Sequence, residues 1–526
     1  MAKTSKTTRG SKPKAPLAKP SRPSAKKPPV KSKLLAVRSA PGKAKAVRAR
    51  ALESVAPLAT TSALLAELRE DEQRAVQRAL SGKSVLLEGS PRARDAAIFA
   101  SAAQIAKRPV LVASPLAAEL FEQASRVKGL DVVTFGSFAT EAARASAKRR
   151  LLRGGNLLVV IEPGQLFDIE LRQLAVKVPL SLVGIAAAHA CSEHAHELSP
   201  AYLSLREALR AFSAPVLATA TRTTARVIEQ VAEAIGASKA IISARPPQLS
   251  LAGQVVRATE RKLHLLSAIQ GYGAPGVVLT ATSQEAEAVA SELSARGVAC
   301  IRLHSGMAPA ERAATLAQFS EPSARLVLVT QSPHANASGL AGCPEAAQGL
   351  ASRAPRGDLR FVIHYQAPLS LEQHFEDLAW LPVGAHSLVL SDSSDAALVQ
   401  AILAQQRIKP AAIEAMAQAL AQATEGRTAF SDNLALRAGT SRRSAERVLF
   451  AFAERTLIAR DSGQVSRLAS TETLAAEGRM LSLRFAALRA ADTARAEAIA
   501  QYVTSQHGNA PPAPNNASQS GAVARA

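Results

Sequence analysis

Short apolar runs, separated by longer helical stretches, occur in two successive sets along this chain of 526 residues. Each run is about five residues rich in Val, Leu, Ile and Ala, which is typical of parallel strands buried on both faces. The first set comprises Ser84–Glu88, Pro109–Ala113, Leu157–Ile161, Ser181–Ile185 and Pro215–Ala218. The second set comprises Gly276–Thr280, Cys300–Leu303, Leu326–Val329, Phe361–His364 and Ser387–Leu390. Two such sets predict two doubly wound α/β domains in tandem, with a boundary near Arg245-Pro246-Pro247.

Strand signals nearly vanish after about residue 396, and a different pattern begins. Ser431–Ala438 predicts a short helix, Gly439 its end, and Thr440 or Ser441 the N-cap of the next helix. An extended run at Leu457–Arg460 follows that second helix. This order of helix, tight turn, helix and strand is typical of a winged helix.

The second of these helices is predicted to be amphipathic. Its apolar face, by 3.6-residue periodicity, consists of Ala445, Val448, Leu449 and Phe452. Its other face carries Arg442, Arg443 and Arg447, which we expect to contact DNA. A helix over 473–504 and a polar tail from Gly508 to Ala526 complete the chain.

Positive charge is concentrated at the N-terminus. Residues 1–50 contain 16 Lys or Arg, no acidic residue and seven prolines, which leaves +6 of the net charge of +22 to the other 476 residues. Such a segment buries too little apolar surface to fold, so we expect a disordered arm that neutralises phosphates. A solubilising tail or a transit peptide are the alternatives, although the prolines disfavour the amphipathic helix of the latter.

The remaining composition narrows the class of protein. No run approaches the roughly 20 apolar residues that span a bilayer, so we expect no membrane partner. The three cysteines, Cys191, Cys300 and Cys343, are far apart, which disfavours a zinc site and a disulfide framework and predicts a reducing cytoplasm.

Two ungapped strings resemble the RecQ family of DNA helicases. Residues 183–202 read VGIAAAHACSEHAHELSPAY, which is similar to the family's IDEAHCISxWGHDFRPxY stretch. Residues 358–372 match the family's DVRFVIHYxxPxSLE at most positions. Shorter matches are Val112–Leu116, Thr219–Thr221 and His304–Gly306, and all occur in the family's order across about residues 60–395. The resemblance implies two RecA-like domains that clamp ATP and track along single-stranded DNA.

The residues that such ATPases use for nucleotide are replaced at the matching positions. In the phosphate loop, G-x-x-x-x-G-K-[ST], Gly89 remains, but Arg94, Asp95 and Ala96 stand for the second glycine, the lysine and the hydroxyl residue. We expect Arg94 to crowd a turn that calls for positive φ, and Arg92 or Arg94 to compensate only in part. Exchanging lysine for aspartate about 4 Å from phosphate shifts the interaction by several kcal/mol.

The carboxylates and the arginine fingers are replaced as well. Ala186 and Ala187 stand where the family has its magnesium-binding and water-activating acids, and Trp380 and Val383 where it has two arginines. Such fingers contribute on the order of 10³–10⁵ in rate. The coupling loop between Thr330 and Asp358 is longer than the family's, the aromatic loop keeps His196 but has no tryptophan, and the zinc module's first cysteine is missing near Gly508.

These observations predict a fold class of α/β type: two tandem RecA-like parallel-sheet domains, a small winged-helix domain and a disordered basic N-terminal tail. The expected domains, in chain order, are 1–50 tail, 51–245 and 246–395 RecA-like domains, 396–424 helical linker, 425–470 winged helix, 471–507 helix and 508–526 tail.

The leading hypothesis is a RecQ-like protein that binds single-stranded or junction-like DNA in a salt-dependent manner, in repair or recombination, without hydrolysing ATP. Its expected DNA contacts are Ser114, His196 and the three arginines of the winged helix. No cofactor is expected, and repair proteins are candidate partners at the bacterial nucleoid. One alternative is an active 3′–5′ DNA helicase that uses ATP and Mg²⁺. Another is a nucleoid or regulatory DNA-binding protein that uses only the tail and the winged helix.

Overall fold

The computed structural model describes residues 68–106, 108–136, 138–192, 200–237, 240–244, 250–304, 306–331, 357–379, 381–422, 428–440, 442–455, 457–461 and 464–506. The predictions for the two tails, His196, Trp380, the interior of the long loop and the Arg245–Pro247 boundary lie outside these residues. None of the helices within the described ranges is both long and apolar enough to cross a membrane.

The first part of the chain forms a sheet of seven parallel strands, which we call lobe 1 with its helices. In chain order, its elements are α1 (Glu70–Leu80), β1 (Val85–Glu88), α2 (Asp95–Ile105), β2 (Val110–Ala113), α3 (Ala117–Ser125), β3 (Asp131–Thr134), α4 (Glu141–Arg153), β4 (Leu157–Ile161), α5 (Ile169–Lys177), β5 (Leu182–Ile185), α6 (Leu205–Leu209), β6 (Val216–Ala220), α7 (Ala225–Ala234) and β7 (Ile241–Ser243). The strand order is β3-β4-β2-β5-β6-β1-β7, and every pairing is parallel.

The apolar runs form the strands of lobe 1 because both sheet faces are covered by helices. Helices α1 to α3 pack on one face and α4, α5 and α7 on the other, so all residues of β4 are buried. Helix α2 crosses the sheet at Gly184, where a Cβ would lie 2.6 Å from the ring of Phe99. A glycine is therefore needed at this close approach.

The second part forms a sheet of six parallel strands, which we call lobe 2 with its helices. Its elements are β8 (Ser250–Val255), α8 (Arg261–Tyr272), β9 (Gly276–Thr280), α9 (Ser283–Ala295), β10 (Cys300–Leu303), α10 (Pro309–Ser320), β11 (Val327–Gln331), β12 (Phe361–His364), α11 (Leu371–Leu378) and β13 (His386–Ser391). The order is β10-β11-β9-β12-β13-β8, again parallel throughout. The two parallel sheets confirm the predicted pair of tandem α/β domains.

Three strands of the two lobes were not predicted from the apolar runs: β3, β7 and β8. In β3 only the last two residues are buried or nearly so, and β7 is largely exposed, because both are edge strands. The exposed residues of these two strands interrupt their apolar runs. Strand β8 lies at an edge too, and is covered by the C-terminal helix described next.

The C-terminal part comprises α12 (Asp395–Gln406), α13 (Pro410–Gln422), β14 (Thr428–Phe430), α14 (Ser431–Arg437), α15 (Arg442–Glu454), β15 (Ile458–Asp461), β16 (Gln464–Arg467) and α16 (Thr471–Ser505). The three strands pair antiparallel in the order β14-β16-β15. Gly439 follows α14 with a φ of +58°, as its predicted role as helix terminator requires. The four apolar positions predicted for α15 are all buried.

Helix α16 runs for 35 residues and contacts two parts of the molecule. Its first half packs with α13 and α15 through Leu474, Leu481 and Phe485. Its second half packs on lobe 2 through Ile499 and Val503, and the N–H of Gly253 in β8 donates to the carbonyl of Gln506 at 3.2 Å. The helix therefore connects the C-terminal helical cluster to the edge of lobe 2.

Candidate functional site

The carboxyl ends of β1, β5 and β6 meet at one edge of lobe 1, where ligands bind in open α/β sheets. Strand β1 ends at Glu88 and Gly89 follows with a φ of +81°, which a side chain would strain. The N–H of Ser90 donates to the carbonyl of Ala220 at the end of β6, at 3.0 Å. The loop after β1 is thereby held against the neighbouring strand.

A 3₁₀ turn, Arg92–Arg94, leads from this loop into α2. The expectation that Arg94 occupies a position of positive φ is wrong, because its φ is −92° and the turn is closed by its N–H donating to the carbonyl of Pro91 at 2.9 Å. The guanidinium of Arg94 turns away from the loop toward α1. It donates to both carboxylate oxygens of Glu72, at 2.9 and 2.7 Å, and Glu72 is fully buried.

Asp95 begins α2 and its carboxyl is directed into lobe 1. Its Oδ1 accepts a hydrogen bond from the Thr219 hydroxyl of β6 at 2.7 Å, and the residue is 5% exposed. Burial raises the pKa of Asp95 well above its usual range, although the Thr219 bond opposes the shift, and nearby Glu376 adds to it. At the position that the resemblance assigns to a phosphate-binding lysine, the chain places a buried acid.

Ala186 and Ala187 follow β5 and are both buried. Ala187 has a φ of +51°, the left-handed region that non-glycine residues seldom adopt. The Tyr202 hydroxyl, also buried, lies 2.7 Å from the carbonyl of Ala186 and 3.0 Å from that of Ala113. The methyl groups of Ala186 and Ala187 and the Tyr202 hydroxyl lie at the carboxyl end of β5. The two alanines therefore present no side-chain metal ligand.

Lobe 2 contacts this edge through Glu376 of α11. Both carboxylate oxygens of Glu376 accept from the backbone N–H of Arg92, at 3.3 and 3.2 Å, and its Oε2 lies 3.4 Å from the Arg92 Nε. Burial raises the pKa of Glu376 despite this cation. Burial likewise raises the pKa of Glu119 in α3 to about 7, with Arg92 opposing and Glu376 reinforcing the shift. Arg92 therefore lies among several buried carboxyls from both lobes.

Two further residues of α11 face lobe 1. The Thr223 hydroxyl donates to Glu372, and the Arg222 guanidinium lies 5.0 Å from the ring centre of Phe375. Phe375 and Glu376 lie three and four residues after Glu372, so the three side chains share one face of the helix. That face forms the direct contact between the lobes.

The chain matches no family model. It is 21% identical over 352 residues to the ATP-dependent DNA helicase RecQ of Haemophilus influenzae, which covers 65% of this chain and 54% of that protein. The Bacillus subtilis RecQ is 23% identical over 273 residues (51% and 43%), and that of Pasteurella multocida is 22% identical over 330 residues (60% and 49%). The chain is similar in sequence to RecQ helicases. It spans about half the length of these curated relatives.

Solved structures also align with this chain. A DEAD box protein from Methanococcus jannaschii aligns with a TM-score of 0.44 and 14% identity, over 68% of this chain and 96% of that one. The Mycobacterium smegmatis helicase Lhr, bound to single-stranded DNA and AMP-PNP, aligns with a TM-score of 0.43 and 17% identity, over 80% and 62%.

A buried polar cluster lies on the other side of α11 in the RecQ-like protein. The His364 Nε2 is 3.2 Å from the Asp377 carboxylate, and the His374 Nε2 is 3.2 Å from the Tyr502 hydroxyl of α16. Burial lowers the pKa of His364 to about 3 and raises that of Asp377 well above its usual range. These groups are enclosed, so they join α11 to α16 instead of forming a surface site.

Of the residues predicted to contact DNA, only Ser114 has a described side chain. Ser114 is 5% exposed and its hydroxyl accepts from the N–H of Leu116 at 3.1 Å, so it presents no free surface. Arg442, Arg443 and Arg447 lie on α15, but their side chains are outside the described part of the structure. Of the two finger positions, only Val383 is among the described residues, and its side chain is 74% exposed. Ser114, His196 and the three arginines stay predictions.

The end of α15 that is remote from these arginines contacts lobe 1. The Arg455 Nη1, just past α15, donates to the Ser204 hydroxyl at 2.7 Å, and Arg484 of α16 donates to the same hydroxyl and to the Leu203 carbonyl. From Arg442 to Arg455 the helix extends about 20 Å at 1.5 Å per residue. Its basic N-terminal turn therefore lies well away from this contact.

Sequence reasoning missed the contact between Arg92 and Glu376. The motif pattern suggested Arg92 only as a partial substitute for the absent lysine, and it did not single out Glu376. The only signal in the sequence was that the phosphate loop has extra arginines while the finger motif has lost its own. The contact between Arg92 and Glu376 is visible only in the three-dimensional structure.

Proposed function

We propose that this RecQ-like protein binds DNA through its basic segments and neither binds nor hydrolyses Mg-ATP. The observation that carries the proposal is the Asp95 carboxyl, buried against Thr219 at the start of α2. This acid stands where the phosphate loop has its lysine, so the site lacks the cation that attracts a phosphate and instead has a group that repels it when ionised.

The residues around it do not fit a magnesium nucleotide. Ala186 and Ala187 supply no oxygen ligand, and the backbone N–H of Arg92 already donates to Glu376. Within the described ranges, no group of three or more His, Cys, Asp or Glu side chains is arranged to hold a metal ion. Glycine geometry, a phosphate-binding lysine and metal carboxylates are the parts that phosphoryl-transfer enzymes of this type use.

The DNA-binding part of the proposal rests on charge. Sixteen cations in residues 1–50, together with Arg442, Arg443 and Arg447, form basic segments of the kind that neutralise backbone phosphates. We propose single-stranded or junction-like DNA as the partner, and repair or recombination as the setting. The lobes and α16 then serve as a scaffold for these segments.

The test is a coupled ATPase assay on the purified full chain, with and without single-stranded DNA. The proposal expects no DNA-stimulated hydrolysis, and DNA binding that persists without nucleotide. DNA-stimulated turnover that co-purifies with the chain through successive columns would contradict it and favour an active 3′–5′ helicase. If alanine at the three arginines and removal of residues 1–50 together leave DNA affinity unchanged, the basic segments are not the DNA-binding elements.

A further inference from the structure

We infer that the two lobes are held together in the absence of nucleotide by Glu376, whose carboxylate serves as an internal ligand of the phosphate-loop segment. The inference deepens the proposed function and rests on it in one respect, namely that Mg-ATP does not compete for the same N–H. The group bound by the loop is then a side chain of the same protein, so it cannot dissociate.

The geometry at the loop is that of an anion site. Backbone N–H groups at a loop before a helix are the donors that bind phosphate or carboxylate. Here one N–H, that of Arg92, donates to both oxygens of Glu376, and the guanidinium of the same residue adds a charged contact at 3.4 Å. Glu376 is 7% exposed, so water does not screen the contact as it would at the surface.

Several buried charges surround the contact between Arg92 and Glu376 and make its loss costly. The Arg92 guanidinium interacts with Asp95, Glu119, Glu376 and Asp377, which come from three elements of both lobes. Removing one partner of a buried ion pair leaves the other uncompensated, which is costly. Removal of the Arg92 side chain leaves four buried carboxyls without this cation, and separation of the lobes relieves them by admitting water.

A second connection runs through the C-terminal part. Helix α16 contacts lobe 2 through Gly253 and through Tyr502, which pairs with His374. It also pairs with the residue that follows α12, through a buried ion pair between Asp492 and Arg407 at 2.5 Å. At its other end, Arg484 contacts Ser204 of lobe 1. The lobes are thus joined both directly and by way of α16, and neither connection involves a nucleotide.

The chain offers a matched control for Arg92. Arg94 lies two residues away and is also paired with a buried glutamate, Glu72, but both members of that pair belong to lobe 1. Substituting either arginine removes one cation and breaks one pair with a buried acid. Only Arg92→Ala breaks a pair between the lobes.

The experiment is single-molecule energy transfer between dyes at Val176→Cys in lobe 1 and Leu263→Cys in lobe 2, both well exposed, with Cys191, Cys300 and Cys343 replaced by alanine. We expect one compact population without nucleotide, and no change on addition of Mg-ATP. Arg92→Ala is expected to shift the compact-to-open ratio by about 10²–10³-fold, the equivalent of breaking a buried pair. Arg94→Ala is expected to leave the ratio unchanged.

Several outcomes would overturn the inference. A broad or open population of the unsubstituted chain without nucleotide does so without any variant, and so does an equal response to Arg92→Ala and Arg94→Ala. If Arg92→Ala does not fold, Glu376→Lys replaces it, because a second cation at Arg92 repels instead of pairing. Compaction only upon addition of Mg-ATP would instead contradict the proposed function, since it requires nucleotide binding.

Discussion

At the scale of single residues, the cleft of this RecQ-like protein contains acids where a nucleotide site calls for cations. Asp95 and Glu119 in lobe 1 and Glu376 in lobe 2 are all buried, and burial raises the pKa of each. A carboxyl with a raised pKa stabilises the folded chain at low pH, below its unfolded-state pKa. That contribution is lost as the pH rises through the folded-state value.

This linkage predicts the pH dependence of a Glu119→Gln variant. The folded-state pKa of Glu119 is about 7, against 4.5 for the free side chain, so its penalty develops between pH 4.5 and 7. Relative to the unsubstituted chain, the variant should gain roughly 1–3 kcal/mol of unfolding free energy at pH 8 and little at pH 4.5. Urea denaturation at both values measures it. His364, whose pKa of about 3 gives the opposite trend below pH 6.5, is present in both chains and cancels. An equal difference at both pH values would show that Glu119 ionises normally.

Thr219 tests the placement of Asp95. Thr219→Val removes the donor to a buried carboxyl and should cost about 1–3 kcal/mol of unfolding free energy. Asp95→Asn keeps an acceptor for Thr219 and removes the charge that burial disfavours, so it should cost less or stabilise. Denaturant titration measures the unfolding free energy of both variants. If Asp95→Asn is the more damaging, the carboxylate is favourably bound and its pKa is not raised.

Backbone strain at Ala187 gives a third test. A non-glycine residue in the left-handed region costs about 1–2 kcal/mol, against an entropic cost of about 0.5–1 kcal/mol for glycine. Ala187→Gly should therefore be neutral or stabilise by up to about 1 kcal/mol. Ala188→Gly, one residue later in the 3₁₀ turn that follows, should destabilise by about 0.5–1 kcal/mol and serves as the control. Equal destabilisation at the two positions would mean that Ala187 is not strained.

At the scale of elements, the sequence predicted every central strand of the two lobes, but only β10 of their four edge strands. Phe361–His364 and Leu157–Ile161 were predicted to the residue because both faces of each strand are buried. Strands β3 and β7 were missed because their exposed residues interrupt the apolar run. In the cleft, the motif positions were located from the sequence, but the 3₁₀ turn at Arg92–Arg94 and the approach of α11 depend on residues that are distant in sequence. Such long-range packing leaves no periodic pattern in the chain.

The predicted basic face of α15 is tested at this scale. Arg442, Arg443 and Arg447 changed together to alanine should weaken DNA binding and reduce the slope of log affinity against log salt by about one for each phosphate that the arginines neutralised. Fluorescence anisotropy with a labelled single strand from 50 to 200 mM salt measures the slope. Arg437→Ala removes an arginine from the neighbouring α14 and serves as the control. An identical response to the control would place the arginines of α15 outside the DNA interface.

At the scale of the whole molecule, positive charge is concentrated in residues 1–50, outside the two lobes. Deletion of residues 1–50 removes 16 cations and should flatten the salt dependence of DNA binding, by about 0.9 for each duplex phosphate no longer neutralised. Deletion of residues 508–526, which hold one arginine and no acid, is the control. A slope that stays the same after the first deletion would exclude the arm from DNA binding.

The two lobes, α11 and α16 together form a molecule whose cleft is filled by its own side chains. The central claim is that this cleft has no affinity for a magnesium nucleotide. Equilibrium titration of the full chain with a fluorescent ATP analogue, with and without Mg²⁺, tests it most directly. We expect no saturable binding up to about 1 mM, the upper end of ordinary enzyme affinities. Saturation in the micromolar range that depends on Mg²⁺ and is displaced by ATP would contradict it.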